Sequence, residues 1–130
     1  MSDKINLTKV QVELIEELAH AHEMMGMQPA WAKIVALLSV SDEIELTFDR
    51  IKDTLGLSKS AVSQALSQLA LTKKVTYKTK IGDRKRYFHL RINEWKSQVA
   101  DMFNAIGNMV EVQKKVLAKR SPKTKEFNKT

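Results

Sequence analysis

The spacing of apolar residues changes twice along this chain, and these changes constrain its fold more than any other sequence feature. Up to Thr72, apolar residues recur every three or four positions, which is typical of amphipathic helices. From Val75 to Ile92, apolar and polar residues alternate on both sides of an Ile81-Gly82-Asp83 turn, which predicts a β-hairpin. The helical spacing returns at Asn93. The sequence therefore predicts several helices, one small hairpin and a long last helix.

The predicted helices before the hairpin have clear end signals. Thr8 and Thr47 are candidate N-caps, because their hydroxyl oxygens can accept a hydrogen bond from a free backbone N–H of the first turn. Pro29 suits the first turn of a second helix, and Gly56 suits the left-handed position that ends a third. Residues 42–46 are predicted to form a connector or one short strand. These signals divide the first half of the chain into three helices.

A helix-turn-helix is predicted in the middle of the chain. A short helix over residues 49–55 precedes the turn at Gly56, and Ser58 caps a second helix that extends to Thr72. The buried face of this second helix is predicted to contain Val62, Ala65, Leu66 and Leu69. With the hairpin as a wing, the predicted fold class is mainly α with a small β-hairpin wing: a winged helix-turn-helix with long N- and C-terminal dimerisation helices.

The outward face of the second helix of the helix-turn-helix, which Ser58 caps, is polar and suited to contacts with base edges. In a helix-turn-helix this helix enters the major groove of DNA, where glutamine can bond adenine and serine can contact bases or phosphates. No acidic residue occurs in the 23 positions from Ser58 to Lys80. The alternative is an ordinary solvent-exposed polar face. The candidate DNA-binding residues of this helix are Ser58, Lys59, Ser60, Ser63, Gln64 and Ser67.

Positive charge is concentrated in the same part of the chain. Residues 1–57 contain 5 basic and 10 acidic side chains, whereas residues 58–130 contain 17 basic and 5 acidic ones. Such a cationic region is typical of proteins that bind polyanions. In the hairpin, Asp83 is predicted to orient its basic neighbours, to close the turn, or to do both. The candidate DNA-binding residues of the wing and its flanks are Lys73, Lys78, Lys80, Arg84, Lys85 and Arg86.

Four segments carry a family resemblance. They are Gly-Met-Gln-Pro-Ala-Trp-Ala-Lys-Ile (26–34), Leu-Leu-Ser-Val-Ser-Asp-Glu (37–43), Leu-Gly-Leu-Ser-Lys-Ser-Ala-Val-Ser (55–63) and Gly-Asp-Arg-Lys-Arg-Tyr-Phe (82–88). Together they resemble MarR-type winged-helix regulators, and in particular the GbsR-like branch. The resemblance implies a homodimer that binds double-stranded DNA at a pseudo-palindromic operator. This family commonly has glycine at the position of Lys73, so the exit from the recognition helix is expected to differ here.

Dimerisation is also predicted from apolar seams on the first and last helices. Packing against a twofold mate would bury these seams and place two recognition helices about 34–36 Å apart, one turn of duplex. The alternative is that both helices fold back on their own domain. The predicted segments are a dimerisation helix (1–25), a DNA-binding domain (26–92), a second dimerisation helix (93–118) and a basic tail (119–130). The predicted interface residues are Leu14, Leu18, Val99, Phe103, Ile106 and Val110.

Several other functions find little support in the sequence. The chain has no cysteine, so no disulfide, zinc knuckle or thiol nucleophile is expected. No catalytic motif is present, and we expect a cytoplasmic protein with no enzyme activity, no cofactor and no membrane-spanning segment. Glu16 and His20 have a metal-compatible spacing but lack a clear third ligand, so no metal site is expected.

Three alternatives stay open. Met24, Met25 and Met27 beside Trp31 either pack in the core, which we favour, or line a pocket for a small-molecule effector. The basic face could also dock an acidic protein partner or bind structured RNA instead of duplex DNA. Duplex DNA remains the favoured partner because the polar helix face and the basic hairpin point to the same ligand.

Overall fold

The computed structural model describes residues 3–120, except for the side chains of residues 92–95. The fold class predicted from the sequence is confirmed: the described residues are mainly helical and contain one small antiparallel sheet. Of the predicted tail over residues 119–130, residues 121–130 lie outside this range, whereas Lys119 belongs to the last described helix. In chain order the elements are α1 (Lys9–Met24), α2 (Pro29–Val40), β1 (Leu46–Thr47), α3 (Phe48–Leu55), α4 (Lys59–Leu71), β2 (Val75–Thr79), β3 (Arg86–Leu90) and α5 (Ile92–Lys119).

The predicted helix caps are confirmed. The hydroxyl of Thr8 accepts a hydrogen bond from the backbone N–H of Gln11 at 3.1 Å, and the Gln11 side chain accepts from the Thr8 N–H at 3.0 Å. This reciprocal capping box satisfies two backbone donors at the start of α1. The hydroxyls of Thr47 and Ser58 cap α3 and α4 by accepting from the backbone N–H of Arg50 and of Ala61, and Gly56 ends α3 in the left-handed region with φ of 65°.

The core forms around α2, which is apolar on almost every side. A helix of this kind is stable only when other elements surround it. Ile34 and Leu37 are fully buried, and α1, α3, α4 and β3 all pack against α2. The predicted apolar face of α4 is buried as expected, with Val62 and Leu69 completely inaccessible to solvent. This packing directs the opposite face of α4 outward.

The sheet has one strand more than the predicted hairpin. Its strand order is β1-β3-β2, and both pairings are antiparallel. Residues 42–46 are predicted to form a connector or one short strand, and the strand that forms, β1, begins at the last residue of this range and extends to Thr47, with Leu46 opposite Phe88. Two residues are too short to show alternation, so β1 arises from the burial of Leu46 in the core.

The predicted extent of the return strand was wrong at its end. The sequence suggested a strand from Arg86 to Ile92, but β3 ends at Leu90 and Ile92 begins α5. The last backbone contact between the two arms joins the N–H of Arg91 to the carbonyl of Lys74 at 3.0 Å. Lys74 precedes β2, so beyond this contact the hairpin offers no further partner and the chain turns into a helix.

The chain divides into two compact units, the first ending at Trp95 and the second starting at Lys96. The first unit contains α1, which buries Ile15 and Ala19 in the shared core. Leu18, one of the predicted interface residues, packs against this core, whereas Leu14 is exposed. Within α5, Phe103, Ile106 and Val110 are exposed and Val99 is half-buried. The predicted dimer interface stays a prediction.

The backbone is strained at Lys73, just after the end of α4. The family that the sequence resembles commonly has glycine at this position. The N–H of Lys74 donates to Leu69 at 2.9 Å and the N–H of Lys73 donates to Ala70 at 3.1 Å, which is the Schellman pattern of a helix end. Lys73 has φ of 60°, and it is the non-glycine residue with positive φ in the described part of the chain. A side chain at this φ costs about 1–2 kcal/mol.

We expect Lys73→Gly to raise the free energy of unfolding by about 0.5–1 kcal/mol, because relief of the left-handed strain outweighs the larger backbone entropy of unfolded glycine. Equilibrium denaturation in urea measures this change. Lys73→Ala is the matched control, since alanine keeps the strain and should shift the stability by less than about 0.5 kcal/mol. A glycine variant less stable than the alanine variant would contradict the interpretation.

Candidate nucleic-acid interface

A groove of 770 Å³ lies between α4, the start of α3 and the wing, which we define as residues 75–90. It brings together the two sets of candidate residues that the sequence placed on separate elements. We call it the α4–wing groove. Its lining consists of Thr47, Phe48, Asp49, Ser63, Leu66, Ser67, Ala70, Leu71, Tyr77, Arg84, Lys85, Arg86 and Phe88.

The predicted residues of α4 lie where the sequence placed them, on its exposed face. Ser60, Ser63, Gln64 and Ser67 follow helical spacing and are all exposed, opposite the buried apolar stripe. Ser63 and Ser67 line the groove, whereas Gln64 is exposed on the same helix without lining it. The α4 wall of the groove therefore combines these two hydroxyl side chains, which can donate and accept hydrogen bonds, with the apolar side chains of Leu66, Ala70 and Leu71.

Ser58 and Lys59 stand at the beginning of α4. The hydroxyl of Ser58 accepts from the backbone N–H of Ala61 at 3.1 Å and lies 3.3 Å from the hydroxyl of Ser60. Ser58 therefore has a structural task as the N-cap, in addition to its predicted contact with DNA. Lys59 is exposed, and the described part of the chain holds no carboxylate in ion-pair contact with it.

The wing supplies the cationic wall of the groove. Arg84, Lys85 and Arg86 all line it and all are exposed. The guanidinium carbon of Arg86 lies 4.8 Å from the centroid of the Tyr77 ring, and this ring in turn packs on Phe88 at 5.7 Å between centroids. The π face of the Tyr77 ring attracts and orients the guanidinium, and Phe88 packs against that ring. Arg86 is thereby held at the groove while its charge stays accessible.

The tip of the wing is closed by Asp83. Its Oδ1 accepts a hydrogen bond from the backbone N–H of Lys85 at 2.9 Å, and its Oδ2 accepts one from the hydroxyl of Tyr87. Of the two roles predicted for Asp83, closing the turn is the one that these bonds perform. The Tyr87 bond, followed by the Lys85 bond, lowers the pKa of the Asp83 carboxyl. The same bond raises the pKa of the Tyr87 hydroxyl.

Two of the predicted wing cations, Lys78 and Lys80, are ion-paired. Both ammonium groups contact the carboxylate of Glu45, at 2.9 Å and 2.8 Å. Hydrogen bonds from Lys80 and then Lys78 lower the pKa of Glu45, and the bond to Glu45 raises the pKa of Lys80. Neither lysine lines the α4–wing groove. Arg84 and Lys85 differ from them, since no described carboxylate forms an ion pair with either side chain.

Sequence reasoning missed three residues that shape this region. Tyr77 was assigned only to a strand face, although its ring holds Arg86. Asp49 brings a carboxylate to the groove, and Glu45 brings another to the wing, from parts of the chain outside the acid-free segment. The available signal was weak, because the positions of both acids depend on how β1 pairs with β3.

The structure gives little support to the other candidate sites, a metal site and an effector pocket. Within residues 3–120, no group of three or more metal-ligating side chains of the His, Cys, Asp and Glu types comes together. Met24 and Met25 are exposed, whereas Met27 and Trp31 pack against the core. The core interpretation therefore fits two of these four residues, and an effector stays a prediction. None of the described helices is both long and apolar enough to cross a membrane.

Comparison with known proteins gives a match in fold alone. No family model matches the chain, and no curated protein sequence matches it. A solved transcriptional regulator superposes with a TM-score of 0.62 at 17% identity over 92% of this chain and 84% of that chain. MepR, a transcription regulator of the Staphylococcus aureus multidrug efflux pump MepA, gives 0.52 at 18% identity over 92% and 85%. A MepR–DNA complex from S. aureus gives 0.51 at 18% identity over 92% and 85%.

We expect Tyr87→Phe to raise the pKa of Asp83, because it removes the hydrogen bond that contributes most to lowering it. Since the folded-state pKa of Asp83 lies below its unfolded value, the stabilisation is present above the ordinary carboxyl range and is lost as pH falls through the lowered value. NMR titration of the Asp83 side-chain carboxyl carbon measures the midpoint in both proteins.

Tyr77→Phe is the matched control for this titration. It removes a hydroxyl from the neighbouring tyrosine, whose ring contacts Phe88 and Arg86 rather than Asp83. The Asp83 midpoint should therefore stay at its wild-type value in this variant. Equal midpoints in wild-type protein and Tyr87→Phe would show that the hydroxyl does not hold the turn.

Proposed function

We propose that this protein is a sequence-specific, double-stranded DNA-binding transcriptional regulator that acts as a homodimer. The observation that carries the proposal is the α4–wing groove, which is lined both by Ser63 and Ser67 of α4 and by Arg84 and Arg86 of the wing. The two elements supply the two classes of contact that DNA recognition requires: polar groups for base edges and cations for phosphates. The likeness of the fold to a MepR–DNA complex supports the same ligand.

The exposed face of α4 suits insertion into the major groove. An α-helix fits the width of this groove, and Gln64, Ser63 and Ser67 carry donors and acceptors that can distinguish base pairs there. In the proposed complex Lys59 and Ser60, near the N-terminus of α4, approach bases or phosphates. The hydroxyl of Ser58 caps the helix and orients this end of it.

The wing suits contacts with phosphates and the minor groove. Arg84, Lys85 and Arg86 are exposed around a turn that Asp83 closes, so the three cations are presented together. A narrow minor groove has an enhanced negative potential that attracts such side chains. Lys73, at the end of α4, adds a further exposed cation, whereas Lys78 and Lys80 are engaged by Glu45.

The homodimer is proposed from apolar side chains that each unit leaves exposed. Leu14 on α1 is 46% exposed, and Phe103 and Ile106 on α5 are 70% and 53% exposed. Removing such side chains from water by pairing with a second copy is favourable. A twofold dimer would present two recognition helices, and its operator would be pseudo-palindromic. Membership of the MarR-type family and its GbsR-like branch rests on the sequence resemblance and belongs to this proposal.

We expect Gln64→Ala to lose about 1–3 kcal/mol of discrimination at one or two base pairs of the operator, because one base-reading side chain is gone. The operator is first obtained by selecting bound duplexes from a random pool. Affinities of both proteins for this duplex and its single-base variants then measure the loss. Binding to random duplex should remain unchanged, and unaltered discrimination would remove Gln64 from the base-reading set.

We expect Arg84→Ala to weaken binding to all duplexes alike and to reduce the slope of log affinity against log salt by about 0.9, the value for one phosphate contact. Gel-shift titrations at several salt concentrations measure both quantities. Lys9→Ala removes one positive charge at the start of α1 and should leave the slope unchanged. If the wild-type protein binds acidic protein or structured RNA but no duplex at low salt, the proposed function is wrong.

A further inference from the structure

One carboxylate holds two wing lysines on the side of the sheet that does not line the α4–wing groove. Glu45 Oε2 lies 2.9 Å from Lys78 Nζ, and Glu45 Oε1 lies 2.8 Å from Lys80 Nζ. The Glu45 side chain is only 21% exposed, whereas the lysine side chains are 58% and 48% exposed. Each carboxylate oxygen therefore serves one ammonium group, and the acid is the better shielded member of the cluster.

The contacts continue from this cluster to the tip of the wing. Lys80 Nζ lies 4.0 Å from the centroid of the Tyr87 ring, and the Tyr87 hydroxyl donates to Asp83. Asp83 in turn accepts from the backbone N–H of Lys85. Glu45 directly precedes Leu46, which is buried and paired with Phe88. The wing tip is thus connected by side-chain contacts to a point anchored in the core.

We propose that Glu45 is a positioning residue that sets the DNA specificity of the wing. It keeps Lys78 and Lys80 from DNA phosphates, so that the cations at the wing tip, Arg84, Lys85 and Arg86, make the contacts with DNA. This inference rests on the proposed DNA-binding function and assigns Glu45 a role within it. A cation engaged by a protein carboxylate releases fewer counterions from DNA than a free one, so it contributes less to affinity for every sequence. Contacts to phosphate carry no sequence information. Pairing Lys78 and Lys80 with Glu45 therefore favours the base-reading contacts.

The test is Glu45→Gln, which keeps the size of the side chain and removes its charge. Released Lys78 and Lys80 should steepen the slope of log affinity against log salt by about 0.9 for each new phosphate contact, up to about 1.8 for both. Affinity for random duplex at moderate salt should rise by roughly three- to tenfold. The ratio of operator to random-duplex affinity should fall, because the added contacts act on all sequences.

Asp42→Asn is the matched control, since it removes one negative charge three positions before Glu45. The Asp42 carboxylate accepts from the Gln11 side chain at 3.1 Å, and no described lysine or arginine forms an ion pair with it. The slope of log affinity against log salt should therefore stay at the wild-type value in Asp42→Asn. The triple variant Glu45→Gln with Lys78→Gln and Lys80→Gln should return to the wild-type slope. If Asp42→Asn steepens the slope as much as Glu45→Gln, or the triple variant stays steep, the proposal is overturned.

A second readout needs no DNA and separates this inference from the proposed function. Hydrogen exchange of the β2 and β3 amides should become faster in Glu45→Gln, because the contacts that hold the wing begin at Glu45, and should be unchanged in Asp42→Asn. Unchanged exchange in Glu45→Gln overturns the positioning role whether or not duplex binds. Wild-type protein that binds no duplex at low salt refutes the DNA-binding function, and with it the role of Glu45 in DNA specificity, whereas faster exchange in Glu45→Gln would still show that Glu45 holds the wing.

Discussion

The pairing of β1 with β3 is the interaction on which the candidate site depends. It consists of two residue pairs, Leu46 with Phe88 and Thr47 with Tyr87, and it joins the helix-turn-helix to the wing. Leu46 is buried in the core, so slipping the register would expose it. Thr47 belongs to the strand and also caps α3. One short segment therefore sets both the start of the helix-turn-helix and the position of the wing beside α4.

The alternation of side chains in this sheet separates the wing charges into two groups. Tyr77, Phe88 and Arg86 belong to the face that lines the α4–wing groove, where the Tyr77 ring contacts an accessible guanidinium. Lys78 and Tyr87 are directly paired residues on the opposite face, which Glu45 reaches from beside β1. Net charge alone would count every wing lysine and arginine as equal. The pleat of the sheet makes them unequal, because only some of them have a carboxylate within reach.

The parts of this arrangement that depend on local chemistry were predictable from the sequence. The caps Thr8 and Ser58 and the turn at Gly56 act through neighbouring backbone groups, and all three lie where the residue types indicated. The polar face of α4 was predictable as well, because helical spacing alone puts its buried stripe on the other side. The hairpin was predicted correctly, apart from the end of β3 at Leu90, where the backbone partners run out.

Apart from β1, the sequence by itself determined the kinds of elements and their order, and it determined the apolar core and the cationic character of the wing, since these follow from residue spacing and composition. Tertiary structure alone decided which side chains share a surface. Asp49 and Glu45 lie outside the acid-free segment along the chain, yet one enters the groove and the other pairs with Lys78 and Lys80. The physical reason is that ion pairs form across β1 and the wing between residues more than thirty positions apart. Neither the spacing of apolar residues nor the number of charges specifies which of these residues come close in space, because that is decided only when the strands pair.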